Sequence, residues 1–224
     1  MRLCMFHPVE KPMQRGWVGR LEGDRVIHLA AQTLQHFFSG GSSSREHDVY
    51  ALEDVAMLVP VLHPPAVRVF EDESTFAFAN PAAVFGPDAI VSTPAGMNPE
   101  IHVRLAGIVG AEGVLGAVGL FVEVRGTGGA GSPKDRDFGS VFGPVVVTPD
   151  EGVPGRVELS GDAGELWAGS LEGVDWDEMS RLAGQNTVLR TGDLLVSPAA
   201  VVLPARGAFR LAGPELGNLG FVIR

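Results

Sequence analysis

His102-Val103-Arg104 sets two polar side chains two residues apart inside an apolar stretch, Ile101–Val109. Side chains alternate along an extended strand, so His102 and Arg104 share one face while Ile101, Val103 and Leu105 share the other. Two polar groups on one face of such a strand mean either a solvated face or a site. Glu123 shifts the balance towards a site. It lies in Gly119-Leu120-Phe121-Val122-Glu123-Val124-Arg125, a strongly apolar strand. A carboxylate buried there must be paired, metal-bound or protonated, because ionised and alone it is heavily destabilising. A third charged group, Lys134-Asp135-Arg136-Asp137, leads through Gly143-Pro144 into Val145-Val146-Val147. Before it comes Gly126–Gly131, a loop able to fold over a ligand.

These groups need a framework, and the pattern around them is mostly β. Ile101–Val109, Val118–Arg125, Val145–Thr148, Arg156–Ser160, Leu166–Leu171, Asp193–Val196, Ala200–Leu203 and Leu219–Ile223 are short apolar runs bounded by Gly, Pro, Asn or Asp. One clear helix interrupts them. Asp175 caps it, Glu178 completes a capping-box pattern, and Trp176, Met179, Leu182 and Ala183 share a face before Gly184. Upstream, Glu22-Gly23-Asp24 between apolar runs predicts a hairpin, and Ala30–Phe38 and Ala51–Leu58 predict short helical pieces. Gly40-Gly41-Ser42-Ser43-Ser44 is linker-like, and His63-Pro64-Pro65 stiffens the passage onward. The expected division is a small N-terminal domain, 1–62, and a core domain, 63–224, with 80–151 at its β-rich centre.

Composition bounds the partners. The 224 residues carry 45% apolar and 20% charged side chains, enough for a sizeable core. A net charge of −10 repels phosphate backbones and anionic bilayers, so neither nucleic acid nor membrane is an expected partner. A local pocket can still invert that sign for a small anion. The single cysteine, Cys4, forms no internal disulfide and fits a small buried hydrophobe. No signal peptide or apolar span of about 18 residues is apparent, so a cytoplasmic location is expected.

In order along the chain, Asn80-Pro81 with Gly86-Pro87, Leu105-Ala106-Gly107-Ile108-Val109-Gly110, and Lys134…Asp137…Gly143-Pro144…Thr148-Pro149-Asp150-Glu151 resemble the fumarylacetoacetate hydrolase family. Thr191-Gly192-Asp193 and Leu216-Gly217-Asn218-Leu219 extend the resemblance over nearly the whole chain. It implies a β-rich α+β fold, a mixed β roll preceded by a small domain, usually dimeric. It also implies hydrolysis, decarboxylation or isomerisation of a 2-oxo acid or acylpyruvate-type dicarboxylate, with Mg²⁺ stabilising the developing enolate. In the family the ion is held by a Glu-x-Glu pair on one strand and an Asp on the next, ligands suited to a hard cation.

This chain departs from that pattern where the ion belongs. The Glu-x-Glu pair aligns with His102 and Arg104, and the Asp with Glu123. A guanidinium is never a metal ligand, so Arg104 argues against a divalent cation. Three arrangements follow: Arg104 fills the ion's place and pairs with Glu123 near Asp137; His102 and Glu123 hold a transition metal; or a shifted register makes Glu100 a ligand. Lys134 and Asp137 remain as candidate catalytic groups, with Arg104 and Ser197 as candidate substrate-binding groups. Only Glu71–Phe78 stands where many members carry a lid helix with a general-base histidine. Two functions are therefore in play. One is an enzyme acting on a small oxo acid or dicarboxylate. The other is a catalytically inactive homodimer of the same fold that binds small molecules or partners.

Overall fold

The structure, a computed structural model, describes residues 1–40, 44–72, 74–127, 131–152 and 155–224. The linker-like residues 41–43 and the loop residues 128–130 lie outside those described.

The first part of the chain gives β1 (Arg2–Pro8), β2 (Trp17–Glu22), β3 (Arg25–Leu29), α1 (Leu34–Phe38), β4 (Glu46–Ala51) and β5 (Val55–Leu58). Four short strands follow: β6 (Val67–Phe70), β7 (Phe76–Ala79), β8 (Val84–Phe85) and β9 (Ala89–Val91). The long strands are β10 (Asn98–Val109), β11 (Leu115–Thr127) and β12 (Ser140–Val147). After them come β13 (Arg156–Gly161), β14 (Gly164–Ser170), α2 (Trp176–Ala183), β15 (Leu194–Val196), β16 (Val201–Pro204), β17 (Gly207–Gly213) and β18 (Gly217–Ile223).

One large sheet runs β4-β3-β2-β1-β12-β11-β10-β15-β6-β7, with β5 beside β1, β8 beside β12 and β16 beside β10. A second sheet runs β14-β13-β17-β18-β9. Parallel pairs (β8 with β12, β6 with β15, β9 with β18) among antiparallel ones make the roll mixed, as expected. The segment expected as a small domain joins this sheet directly, since β1 pairs with β12 from Arg2↔Val147 to Cys4↔Val145.

The β10–β11 ribbon is covered on both faces, and outside the polar cluster at His102, Arg104 and Glu123 its buried side chains are apolar. Ile101, Val103, Leu105, Leu120, Val122 and Val124 meet Leu159, Leu211 and Leu219 of the second sheet, together with Trp176 and Met179 of α2. The opposite face carries Ala106, Ile108 and Phe121 against Leu3, Leu29, Val69 and Phe142. A buried ion pair, Arg68 to Asp193 at 2.9 Å, ties β6 to the turn entering β15. That pair fixes the end of β6, from which Glu71 projects.

Local signals succeed where the chemistry is local. Gly23 has φ +60° in the two-residue β2–β3 turn, as a tight hairpin of this kind requires. Asp175 caps α2 by accepting a hydrogen bond from the Glu178 N–H at 2.9 Å. Asp175→Ala is expected to cost about 1 kcal/mol, read as a lower urea midpoint at unchanged slope.

Two expected helices change. The Ala30–Phe38 piece shortens to α1, because β3 claims the chain to Leu29 and Thr33 caps the helix at His36 N–H. Ala51–Leu58 is a turn at Leu52–Asp54 followed by a strand, since Val55–Leu58 pairs with β1. A short apolar run suits either element, and tertiary pairing decides. Trp17 and Trp167 are half-buried. Among the described residues no helix is long and apolar enough to cross a membrane.

Candidate functional site: an arginine–carboxylate centre

Register alone assembles most of the site. In the β10–β11 pair Glu100 faces Arg125, His102 faces Glu123 and Arg104 faces Phe121. Glu100, His102 and Arg104 thus share a face with Glu123 and Arg125, as the alternation of the sequence requires. The turn before β12 adds Arg136. The tight β6–β7 turn adds Glu71, held by a backbone bond from Glu71 N–H to Thr75 O and by Asp72 accepting from the Ser74 and Thr75 N–H groups.

Glu123 is the hub, fully buried between two guanidinium groups. Its Oε2 lies 3.0 Å from Arg104 Nη2 and its Oε1 3.0 Å from Arg136 Nη2. Neither contact has hydrogen-bond alignment, so the attraction is chiefly Coulombic. Arg104, only 1% exposed, also donates through Nη1 to the carbonyls of Phe70 and Ser197, both at 2.8 Å. Glu71 is the outer carboxylate. It pairs closely with Arg136, lies 3.2 Å from Arg125 Nη1 and 3.7 Å from Arg104 Nη2, and is 39% exposed. Three arginines therefore converge on two glutamates in nested positions, one sealed and one reachable.

The titration tendencies follow from that geometry. Burial pulls the Arg104 guanidinium below its usual value, while Glu123 and Glu71 oppose the change. Burial pushes the Glu71 carboxyl up, but its bond to Arg136 and the charges of Arg136, Arg125 and Arg104 outweigh this and leave it below the usual carboxylate range. His102 is drawn down to about 4, by burial first and then by Arg104 and Arg125. Its Nδ1 lies 3.5 Å from Arg104 Nη2. A guanidinium only donates, so Nδ1 accepts and the ring is neutral with its proton on Nε2. Glu100 Oε2 stands 3.8 Å from that Nε2, beyond a direct bond.

The other expected site residues fall as follows. Asp137, expected near Arg104, instead pairs with Lys134 at 2.6 Å, and its backbone oxygen accepts from Asn80 Nδ2 at 2.9 Å. Lys134 is 75% exposed. The Ser197 hydroxyl accepts from Leu105 N–H at 3.0 Å and donates to Pro198 O at 3.0 Å, so it is committed to the backbone. Ser197 also lines a cavity of about 350 Å³ whose rim bears Glu172, Asp175 and Glu178, a poor lining for an anion.

Sequence reasoning left Glu71, Arg125 and Arg136 without roles. Arg125 was accessible by the same alternation that singled out Glu123. Arg136 and Glu71 lie in turns and carry no periodic signal.

A divalent cation does not fit these donors. Both Glu123 oxygens already face fixed positive charges, and Arg104 would repel an ion placed between them. Among the described residues no group of three or more His, Cys, Asp or Glu side chains gathers to hold a metal.

The two-sheet arrangement is the fumarylacetoacetate-hydrolase-like fold, seen along the full chain in solved structures. Maleylpyruvate hydrolase from Sphingobium sp. SYK-6, solved with manganese(II) and pyruvate, matches at TM-score 0.78 and 18% identity, covering 100% of this chain and 98% of that one. The 5-carboxymethyl-2-hydroxymuconate delta-isomerase of Mycobacterium smegmatis matches at 0.73 and 17%, covering 100% and 99%. A probable 2-hydroxyhepta-2,4-diene-1,7-dioate isomerase of Mycobacterium abscessus matches at 0.79 and 15%, covering 100% and 98%. No protein-family model and no curated protein matches the sequence.

Proposed function

We propose that the chain is a divergent member of the fumarylacetoacetate hydrolase family that binds a small 2-oxo acid or dicarboxylate without a divalent cation, Arg104 standing in for the ion. The observation carrying this reading is the sealed Arg104–Glu123 pair at 3.0 Å, which neutralises the buried carboxylate by a charge belonging to the chain. The structures sharing the fold include enzymes named for oxo-acid and dicarboxylate substrates, which supports the ligand class. The arginine face suits an anion better than the acidic-rimmed cavity at Ser197. Family-type catalysis lacks two parts in this reading. No cation stabilises an enolate, and His102 at about 4 is a weak base near neutral pH. The homodimer and cytoplasmic location implied by the family resemblance belong to the same reading.

Calorimetric titration with pyruvate and with oxaloacetate, in EDTA and in Mg²⁺ or Mn²⁺, tests it. The expected result is the same affinity in both media, with oxaloacetate consumed no faster than by Mg²⁺ alone. Stoichiometric metal in the purified protein together with turnover overturns it. A second reading, an enzyme, is favoured by the Lys134–Asp137 pair. Turnover abolished by Asp137→Asn would establish that alternative.

A further inference from the structure

We propose that Arg104, Arg125 and Arg136 form a carboxylate-binding site for a small organic acid, which the side chain of Glu71 occupies as an internal ligand that the incoming anion displaces. The inference rests on the binding reading above and gives it a place and a mechanism.

The two glutamates of the centre are not equivalent. Glu123 is sealed at 0% exposure and neutralises charge from behind Arg104 and Arg136. Glu71 approaches from the open side, where it meets Nη2 of Arg136, Nη1 of Arg125 at 3.2 and 3.4 Å, and Nη2 of Arg104 at 3.7 Å. Two guanidinium groups, Arg136 and Arg125, bonded to one carboxylate, with Arg104 at 3.7 Å as a fixed positive charge behind them, form a recognition geometry for that chemical group, whatever molecule bears it. The centre without Glu71 holds three guanidinium groups against Glu123, with Glu100 across from Arg125 at the rim, an excess of positive charge reaching solvent through the partly exposed Arg125.

Arg104 explains why displacement is required. At 1% exposure it contacts no solvent-borne anion while Glu71 is in place. Once Glu71 swings out about its own rotatable bonds, a ligand carboxylate meets the same donors. Its second polar group then lies towards His102, whose Nε2–H has no partner among the described residues. A 2-oxo acid or a short dicarboxylate has a carbonyl or carboxylate oxygen for that donor; a simple monocarboxylate does not. The intramolecular occupant is always present, so it weakens apparent affinity by the fraction of time the site is filled.

Calorimetric titrations in EDTA with pyruvate, succinate and acetate, on the full chain, provide the test. Glu71→Gln is expected to bind pyruvate or succinate roughly tenfold or more tightly than the unaltered protein, and acetate less tightly than either. Adding Arg125→Met to Glu71→Gln is expected to remove most of that gain. Glu71→Asp, which withdraws the carboxylate by one methylene while keeping its charge, gives a second measurement if Glu71→Gln melts without cooperativity; it too should bind more tightly. Glu100→Gln removes an equal charge beside His102 and opposite Arg125 without emptying the place that Glu71 fills, so it separates occupancy from the loss of a nearby negative charge. Unchanged affinity in both Glu71 variants, or an equal gain in Glu100→Gln, overturns the proposal. The outcomes also separate it from the reading above. An unaltered protein that binds nothing beside a Glu71→Gln variant that binds leaves the occupied site standing and defeats ligand binding by the natural chain. Binding by both with equal affinity does the reverse.

Discussion

Glu123→Ala is expected to destabilise the protein by about 3–5 kcal/mol, the range for removing one partner of a buried ion pair. For a chain of this size that corresponds to a fall in melting temperature of about 6–20 °C. The reason is what the substitution leaves behind. Arg104 and Arg136 each lie 3.0 Å from a Glu123 oxygen, and neither can lose its charge. Glu71 alone then faces three guanidinium groups from a partly solvated position. Pairing Arg104→Met with Glu123→Leu removes the buried charges together and is expected to recover much of the loss, since an apolar replacement of a buried pair is often neutral or better. Thermal melts of the single and double variants check this. A single-variant loss below about 1 kcal/mol, typical of exposed pairs, would show that solvent reaches Glu123.

Acidification from pH 6.5 to 4 is expected to remove up to about 3 kcal/mol of stability through His102 alone, the equivalent of its drop from 6.5 to about 4. The folded ring resists protonation because it is buried beside Arg104 and Arg125. The unfolded ring protonates near 6.5, so between these values the unfolded state binds more protons and gains on the folded one as pH falls. Glu71 acts in the same direction in a lower window. Its depressed carboxyl favours the folded state above the ordinary carboxylate value and stops doing so as pH falls further. Urea midpoints measured from pH 7 to pH 4 should therefore fall steeply in the unaltered protein, and less steeply in His102→Gln above pH 4.5. Equal slopes would mean that the ring is solvated or paired with Glu100 when charged.

Much of this centre was legible because strands are periodic. The alternation in Ile101–Val109 placed His102 and Arg104 on one face, and the register His102↔Glu123 brings Glu123 to that face. The mixed β fold was accessible through motifs spread along the chain, although the six strands at 46–51, 67–70, 76–79, 84–85, 89–91 and 207–213 were not identified. Most of those are four residues or fewer, too short for a period to show. Glu71 and Arg136 were hidden for a different reason. They reach the centre from turns outside the strand pair they complete, Glu71 at 27 residues before the start of β10 at Asn98 and by way of β6 and β15, Arg136 at 9 residues past the end of β11 at Thr127. Turn residues signal backbone geometry, and nothing in their local pattern reports where a long side chain ends. Ser197 entered only through the family resemblance of Leu195–Pro198, and its hydroxyl completes the hydrogen bonding of Leu105 and Pro198.

The positive charge on Arg104 is installed at translation and remains with the chain. Unlike a bound ion it cannot be chelated, exchanged for another element or diluted away, so the buried Glu123 carboxylate has a countercharge as soon as Arg104 meets it during folding. On the proposed reading, scarcity or excess of divalent ions in the surroundings leaves it unaltered. The same permanence removes an adjustable coordination sphere, and with it the means by which an ion accommodates ligands of different shape. On that reading, adaptation to a ligand is left to the side chains at the rim.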